Sequence, residues 1–283
     1  MKALYLFFSL ICLQLVSAQD ETQYGYGVFN FENNKILRIF TNDTRVRENP
    51  STTGVILDSL ASNTPITIVD KSTLVTKLGE RSAHWYKIAY QKDNKKTEGF
   101  IWGGNIAMQY LQKNGYDFLF GLQKSGKEYD QQLQMDVVKN YAAVKVFKNT
   151  ELLDEAIFES GIGESLSYST FEIDDTKKLK NVDFILKTLV SGEACGIPSY
   201  EQQLLFSNTK LVHLPLQINI GDADIFYHTE ALIFPNDKGG KPNTIFFVME
   251  EMEKDDKEKE HFKNDKKEFS WDGKVLSQII YMK

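Results

Sequence analysis

Thr44-Arg45-Val46-Arg47-Glu48-Asn49-Pro50-Ser51-Thr52-Thr53-Gly54-Val55-Ile56-Leu57-Asp58-Ser59-Leu60 is the stretch on which the reading of the fold turns. Val46, Val55, Leu57 and Leu60, with Ile66 and Ile68 beyond, alternate as the inward positions of short strands. Asn49-Pro50 and Gly54 supply the turn between them. On either side the pattern continues through Ile36 to Phe40, Pro65 to Val69, Trp85 to Tyr90 and Gly99 to Trp102. Polar connectors fall at 48–51, 61–63 and 91–97. Short strands at this spacing predict a small β-barrel or sandwich, and no long segment shows helical periodicity. Trp85 is large enough to fill much of a barrel interior, and glycines 99, 103 and 104 allow tight backbone at a corner.

Residues 36 to about 108 resemble the bacterial Src-homology-3-like (SH3-like) domain. The opening half of the resemblance is the stretch quoted above followed by Thr64-Pro65-Ile66-Thr67-Ile68-Val69. The closing half is His84-Trp85-Tyr86-Lys87-Ile88, then Gly99-Phe100-Ile101-Trp102-Gly103-Gly104-Asn105-Ile106. Two departures stand out: Asn63 occupies a position that is usually glycine in the family, and the insert Lys71 to Ser82 is longer than usual. The resemblance implies binding, not catalysis, with peptidoglycan peptides or an envelope protein segment as partner. The rings expected at such a groove are Tyr86, Tyr90, Phe100 and Trp102, where aromatic faces hold an extended peptide or a sugar.

Upstream, Met1 to Ala18 has one positive charge, an apolar run and a Val-Ser-Ala end, which reads as an export signal. The run is too short for a permanent membrane helix. Cys12, preceded by Ile11, reads as an ordinary residue of that run. Residues 19–34 read as a mobile polar leader. The expected location is periplasmic or secreted, with no integral membrane segment after signal removal.

Of the two cysteines only Cys195 lies outside the signal, so no intramolecular disulfide is expected. The chain has 33 basic and 39 acidic side chains, a net charge of −6, and loss of Lys2 leaves −7. With no basic block, nucleic acid is not an expected partner.

Downstream, residues 116–283 read as a second, larger β-rich domain: a sandwich, a meander or a propeller-like array. Three hairpins share a strand–turn–strand text: Phe147-Lys148-Asn149-Thr150-Glu151-Leu152, Phe206-Ser207-Asn208-Thr209-Lys210-Leu211 and Trp271-Asp272-Gly273-Lys274-Val275-Leu276. Asn and Gly tolerate the positive φ of tight turns. A helix is expected as one option over Asn181 to Val190, where the apolar positions fit either period. The segment Glu250 to Glu268, with nine acidic residues and six lysines, reads as a solvated hairpin or a short exposed helix.

Candidate chemistry is sparse. Cys195 sits in Ala194-Cys195-Gly196-Ile197-Pro198, where proline disfavours the helix start that would activate a thiolate. It reads as a buried, reduced cysteine. Asp222, Asp224, His228 and Glu230 are of metal-ligating type, but their spacing matches no established loop, and they read as a turn entering a strand. No cofactor is expected. The resulting expectation is a non-enzymatic envelope protein with an SH3-like binding module. The alternative is a cell-wall hydrolase with a divergent C-terminal catalytic domain using Cys195 and a histidine, His213 or His228.

Overall fold

A computed structural model describes residues 27–131, 134–161, 168–191, 195–222 and 225–280. The expected signal and residues 19–26 of the leader lie outside these. The described chain is almost entirely β, with only two single-turn 3₁₀ segments at Gly27–Phe29 and Gly103–Asn105. All strand pairings are antiparallel.

The N-terminal sheet is a curled half-barrel of six strands: β1 (Ile36–Arg38), β2 (Thr44–Arg47), β3 (Ile56–Leu60), β4 (Pro65–Leu78), β5 (Arg81–Lys92) and β6 (Lys95–Trp102), in the order β1-β4-β5-β6-β2-β3. Val46, Leu60, Ile66, Ile68 and Trp85 face its interior, as the alternation predicts. Val55 and Leu57 do not: they are 62% and 45% exposed. Leu57 belongs to β3, an edge strand with β2 as its only neighbour among the described residues, and Val55 directly precedes it. Alternation marks two faces but does not say whether either is covered.

Residues 27–34 also correct the sequence reading. Val28, Phe29 and Phe31 are buried, and the Tyr86 hydroxyl donates to Phe29 O at 2.6 Å while accepting from Phe31 N at 3.1 Å. The polar composition of the leader as a whole hid this apolar end.

A four-stranded meander follows: β7 (Gln109–Lys113), β8 (Tyr116–Asp130), β9 (Met135–Lys148) and β10 (Glu151–Glu159). It is bound tightly to the first sheet. The Phe40 ring lies against Gly121 of β8, where an added Cβ would come within 2.6 Å of the ring. Lys145 of β9, almost fully buried, donates to Phe40 O at 3.1 Å and pairs with Glu155 at 3.4 Å. Burial pushes the Lys145 pKa down, against the opposing charge of Glu155.

Asn63 completes the joint. It adopts φ 67°, the left-handed conformation that explains why glycine is usual there. Its Nδ2 donates to Asp117 Oδ2 at 2.9 Å and to Asn149 O at 3.0 Å, in the second sheet.

The third sheet has nine strands. These are β11 (Tyr168–Asp174), β12 (Phe184–Ser191), β13 (Ser199–Ser207), β14 (Lys210–His213), β15 (Gln217–Asp222), β16 (Phe226–Ile233), β17 (Thr244–Lys254), β18 (Glu260–Trp271) and β19 (Leu276–Ile279). Sequential neighbours pair except at β14, which lies beside one end of β13 while β15 joins its other end; residues 116–283 are thus built of further β sheets, as their strand-rich text predicts.

The helix expected over Asn181 to Val190 is instead β12. Phe184 and Leu186 face the core shared with the first two sheets, while Ile185 faces a second core containing Leu214, Phe234, Ile245 and Trp271. A strand covered on both faces reads as a continuous apolar run, which carries no period of its own. Residues 250–268 form the outer part of the β17–β18 hairpin.

Candidate functional site

The site is built at the open end of the N-terminal sheet. Trp85 on β5 and Trp102 on β6 are cross-strand partners. The insert at Lys71 to Ser82 is an extension of the β4–β5 hairpin. It folds toward the two rings: Trp85 Nε1 donates to Thr76 Oγ1 at 2.7 Å, and Trp102 Nε1 donates to Thr76 O at 2.9 Å. One residue thus satisfies both indole N–H groups. Gly104 makes room below, since a Cβ there would lie 2.0 Å from the Trp102 ring.

Opposite the hairpin, residues 41–43 turn into β2 through Asp43 at φ 53°. Thr41 and Thr44 hydroxyls join at 2.8 Å. Arg47 Nη1 donates to Gly54 O at 2.6 Å and closes the 48–54 loop over the strand pair. Between these walls lies a cleft of about 300 Å³, with Arg45, Asp43, Thr52, Leu78, Asn105 and Trp102 among its lining residues. Arg45 is exposed because the buried Val46 turns its neighbours outward. The cleft offers a cation, a carboxylate, hydroxyls, an amide and an indole edge: groups that hold a polar or extended ligand by hydrogen bonds and ring contact.

Of the four rings expected at the groove, Trp102 lines this cleft. Tyr86 is fully buried and anchors residues 29–31, and burial raises its pKa. Tyr90 is also buried, with its hydroxyl donating to Asp58 Oδ2 at 3.0 Å. Burial first, then the hydrogen bond to Asp58 and its charge, push its pKa up to about 12. Burial opposes ionisation of Asp58, but Lys92 at 3.0 Å, the Ser59 N–H and Tyr90 outweigh it and hold its carboxyl below the usual range. Phe100 is partly buried against the core. The expectation that these rings are exposed is therefore corrected for Tyr86 and Tyr90, which alternate into the core, and for Trp102, which is only 6% exposed although it borders the cleft. The sequence reading missed Arg45 and Leu78, although the outward alternation around Val46 marked Arg45.

Residues 42–107 match the family model for the bacterial SH3 domain. Bacterial SH3 domains are cell-wall-binding types of module, typical of extracellular or envelope proteins. Every lining residue of the cleft except Thr41 falls within the matched segment. Neither a curated protein nor a solved structure matches the chain. Among the described residues, no helix is long and apolar enough to cross a membrane.

The other sequence candidates lie outside the SH3 domain. His228 Nδ1 meets Glu251 Oε2 at 3.1 Å and its Nε2 meets Glu230 Oε1 at 3.2 Å. The two carboxylates thus sit on opposite sides of the ring and do not converge on one point. Glu230 also accepts from Ile218 N at 2.7 Å. Asp224 lies outside the described residues, and Asp222 lies at the end of β15. Among the described residues, no group of three or more His, Cys, Asp or Glu is placed to hold a metal. Cys195 is exposed, not buried as its sequence context suggests. It sits in a tight turn whose Gly196 N–H donates to Gly221 O at 2.9 Å. No hydrogen bond joins Cys195 to His213 or His228 among the described residues.

Proposed function

We propose that this chain is an exported, non-enzymatic envelope protein whose SH3 domain binds a peptidoglycan peptide or an extended segment of an envelope protein. The observation that carries the reading is the cleft built from the matched segment and the adjoining Thr41, walled by Arg45, Trp102 and the lengthened β4–β5 hairpin. Arg45 supplies a fork for a peptide carboxylate or carbonyl, and Asp43 on the same wall supplies an acceptor for amide or ammonium groups. Trp102 offers an apolar edge between them.

The test is co-sedimentation of the full chain with purified peptidoglycan, together with pull-down from envelope extract. Arg45→Glu is the diagnostic variant, because Arg45 is exposed and its replacement leaves the core intact. The expected result is retention on one of the two materials and loss of that retention in Arg45→Glu. Absence of retention on both overturns the proposal.

A further inference from the structure

The three hairpins with a shared text, 59 and 64 residues apart at their turns, come together in space. The β13–β14 turn carries Asn208 and Thr209, and the β18–β19 turn carries Gly273 and Lys274. Both border an open cleft of about 890 Å³ that also takes in Tyr116 and Lys210. The β9–β10 hairpin reaches the same place through Lys148, whose Nζ lies 5.7 Å from the centroid of the Tyr116 ring. Each hairpin thus delivers one lysine from beside its turn: Lys148, Lys210 and Lys274.

The walls are fixed before any ligand arrives. Ser207 Oγ donates to Asn181 O at 2.7 Å, and Asn181 Nδ2 donates to Gly273 O at 3.3 Å. Trp271 Nε1 donates to Lys180 O at 2.7 Å. Tyr116 is held edge-on by Phe206, with ring centroids 5.2 Å apart.

The charge of this cleft differs from that of the chain. Two of the nearby carboxylates are turned to backbone: Asp154 accepts from Leu211 N at 2.7 Å while pairing with Lys210 at 3.4 Å, and Asp272 accepts from Lys274 N and Val275 N, each at 2.7 Å. Asp183 is the carboxylate that lines the cleft itself. Lys148 and Lys274 make no salt bridge among the described residues, although Lys274 lies in the field of Asp272. Three lysines thus meet three carboxylates here, Asp154, Asp183 and Asp272, in a chain of net charge −6, and the ammonium groups left without a salt bridge are those of Lys148 and Lys274. Beside them, the Asn208 amide and Thr209 hydroxyl make no side-chain hydrogen bond to another described residue. The volume is that of a small-ligand site.

We propose that this cleft binds an acidic saccharide, one to a few sugar units bearing a carboxylate or phosphate. The lysines would meet the anionic group, Asn208 and Thr209 the hydroxyls, and Tyr116 the sugar face. The site is separate from the SH3 cleft, so it stands or falls independently of the function proposed above.

The full chain is titrated calorimetrically with tetragalacturonate, with an uncharged oligosaccharide of equal length, and with tripolyphosphate. The expected result is saturable binding of tetragalacturonate at least tenfold tighter than of the other two. The double variant Lys148→Glu, Lys274→Glu should weaken it at least tenfold, while Lys257→Glu on the distant β17–β18 turn leaves it unchanged. Binding of tripolyphosphate as tight as, or tighter than, the acidic sugar would make the cleft a general anion site and overturn the saccharide assignment, unless a sugar phosphate then bound tighter still. No binding of any of these ligands, or equal weakening by Lys257→Glu, overturns the proposal outright. Arg45→Glu should leave this binding intact.

Discussion

Replacing Asn63 by glycine should destabilise this protein, although glycine is the residue usual at that position in related domains. The Asn63 amide donates one hydrogen bond to the Asp117 carboxylate and one to the Asn149 carbonyl. Bonds of these two kinds contribute about 1.5–3 and about 0.5–1.5 kcal/mol. Asn63 Oδ1 is buried without a partner, so its removal returns about 1 kcal/mol. Glycine accepts φ 67° with less strain but loses more entropy on folding, and these two effects nearly cancel at about 1 kcal/mol each. The net loss is about 1–3.5 kcal/mol.

Asn63→Ala loses the same bonds, and alanine lacks asparagine's tolerance of the left-handed region, so its strain exceeds the entropy it saves by about 1 kcal/mol. Urea unfolding followed by tryptophan fluorescence should therefore rank wild type above Asn63→Gly and Asn63→Gly above Asn63→Ala. An Asn63→Gly variant as stable as wild type would refute the reasoning, because it would mean that the turn alone matters and that the clamp between the sheets contributes nothing.

Thr76→Val should cost about 1–3 kcal/mol, because the Trp85 indole N–H loses its acceptor while Trp102 keeps the Thr76 carbonyl; thermal melting gives the loss, and ligand retention shows whether the cleft wall moves with it. His228 makes a pH prediction. Burial opposes its charged form, but the bonds to Glu251 and Glu230 outweigh it and raise its pKa above 6.5. A raised folded value means that its stabilisation is complete below about pH 6.5 and is lost as pH rises through the folded pKa. Lys263, 3.9 Å from Glu251, is the cation facing this group. Urea midpoints should fall more between pH 6 and pH 9 in wild type than in His228→Gln, and equal falls would show that His228 is not the group responsible. Cys195 is exposed, so a thiol reagent should label the native protein at the rate of an unhindered thiol. Labelling only after denaturation would contradict its placement.

Much of this molecule is legible in its residues. The short alternating runs, the Asn and Gly turns and the absence of helical periodicity are local properties of the chain, and they determine an all-β fold with the bacterial SH3 segment at its N-terminal end. All three hairpins named from their turn residues form, because positive φ at Asn149, Asn208 and Gly273 is a local requirement.

What the sequence left open depends on what covers each face. Val55 and Leu57 alternate as core residues do, yet they lie at an uncovered edge. The Phe184 to Leu186 run looked neutral between helix and strand because two cores, one on each side, bury it. Tyr86 and Tyr90 read as surface rings until the residues around them fixed their hydroxyls inside. The cleft where three turns deliver Lys148, Lys210 and Lys274 has no sequence signature, since those residues are more than fifty positions apart and only the closure of the sheets brings them together. Local pattern determines which elements form; burial and long-range contact decide which of their side chains are free to meet a ligand.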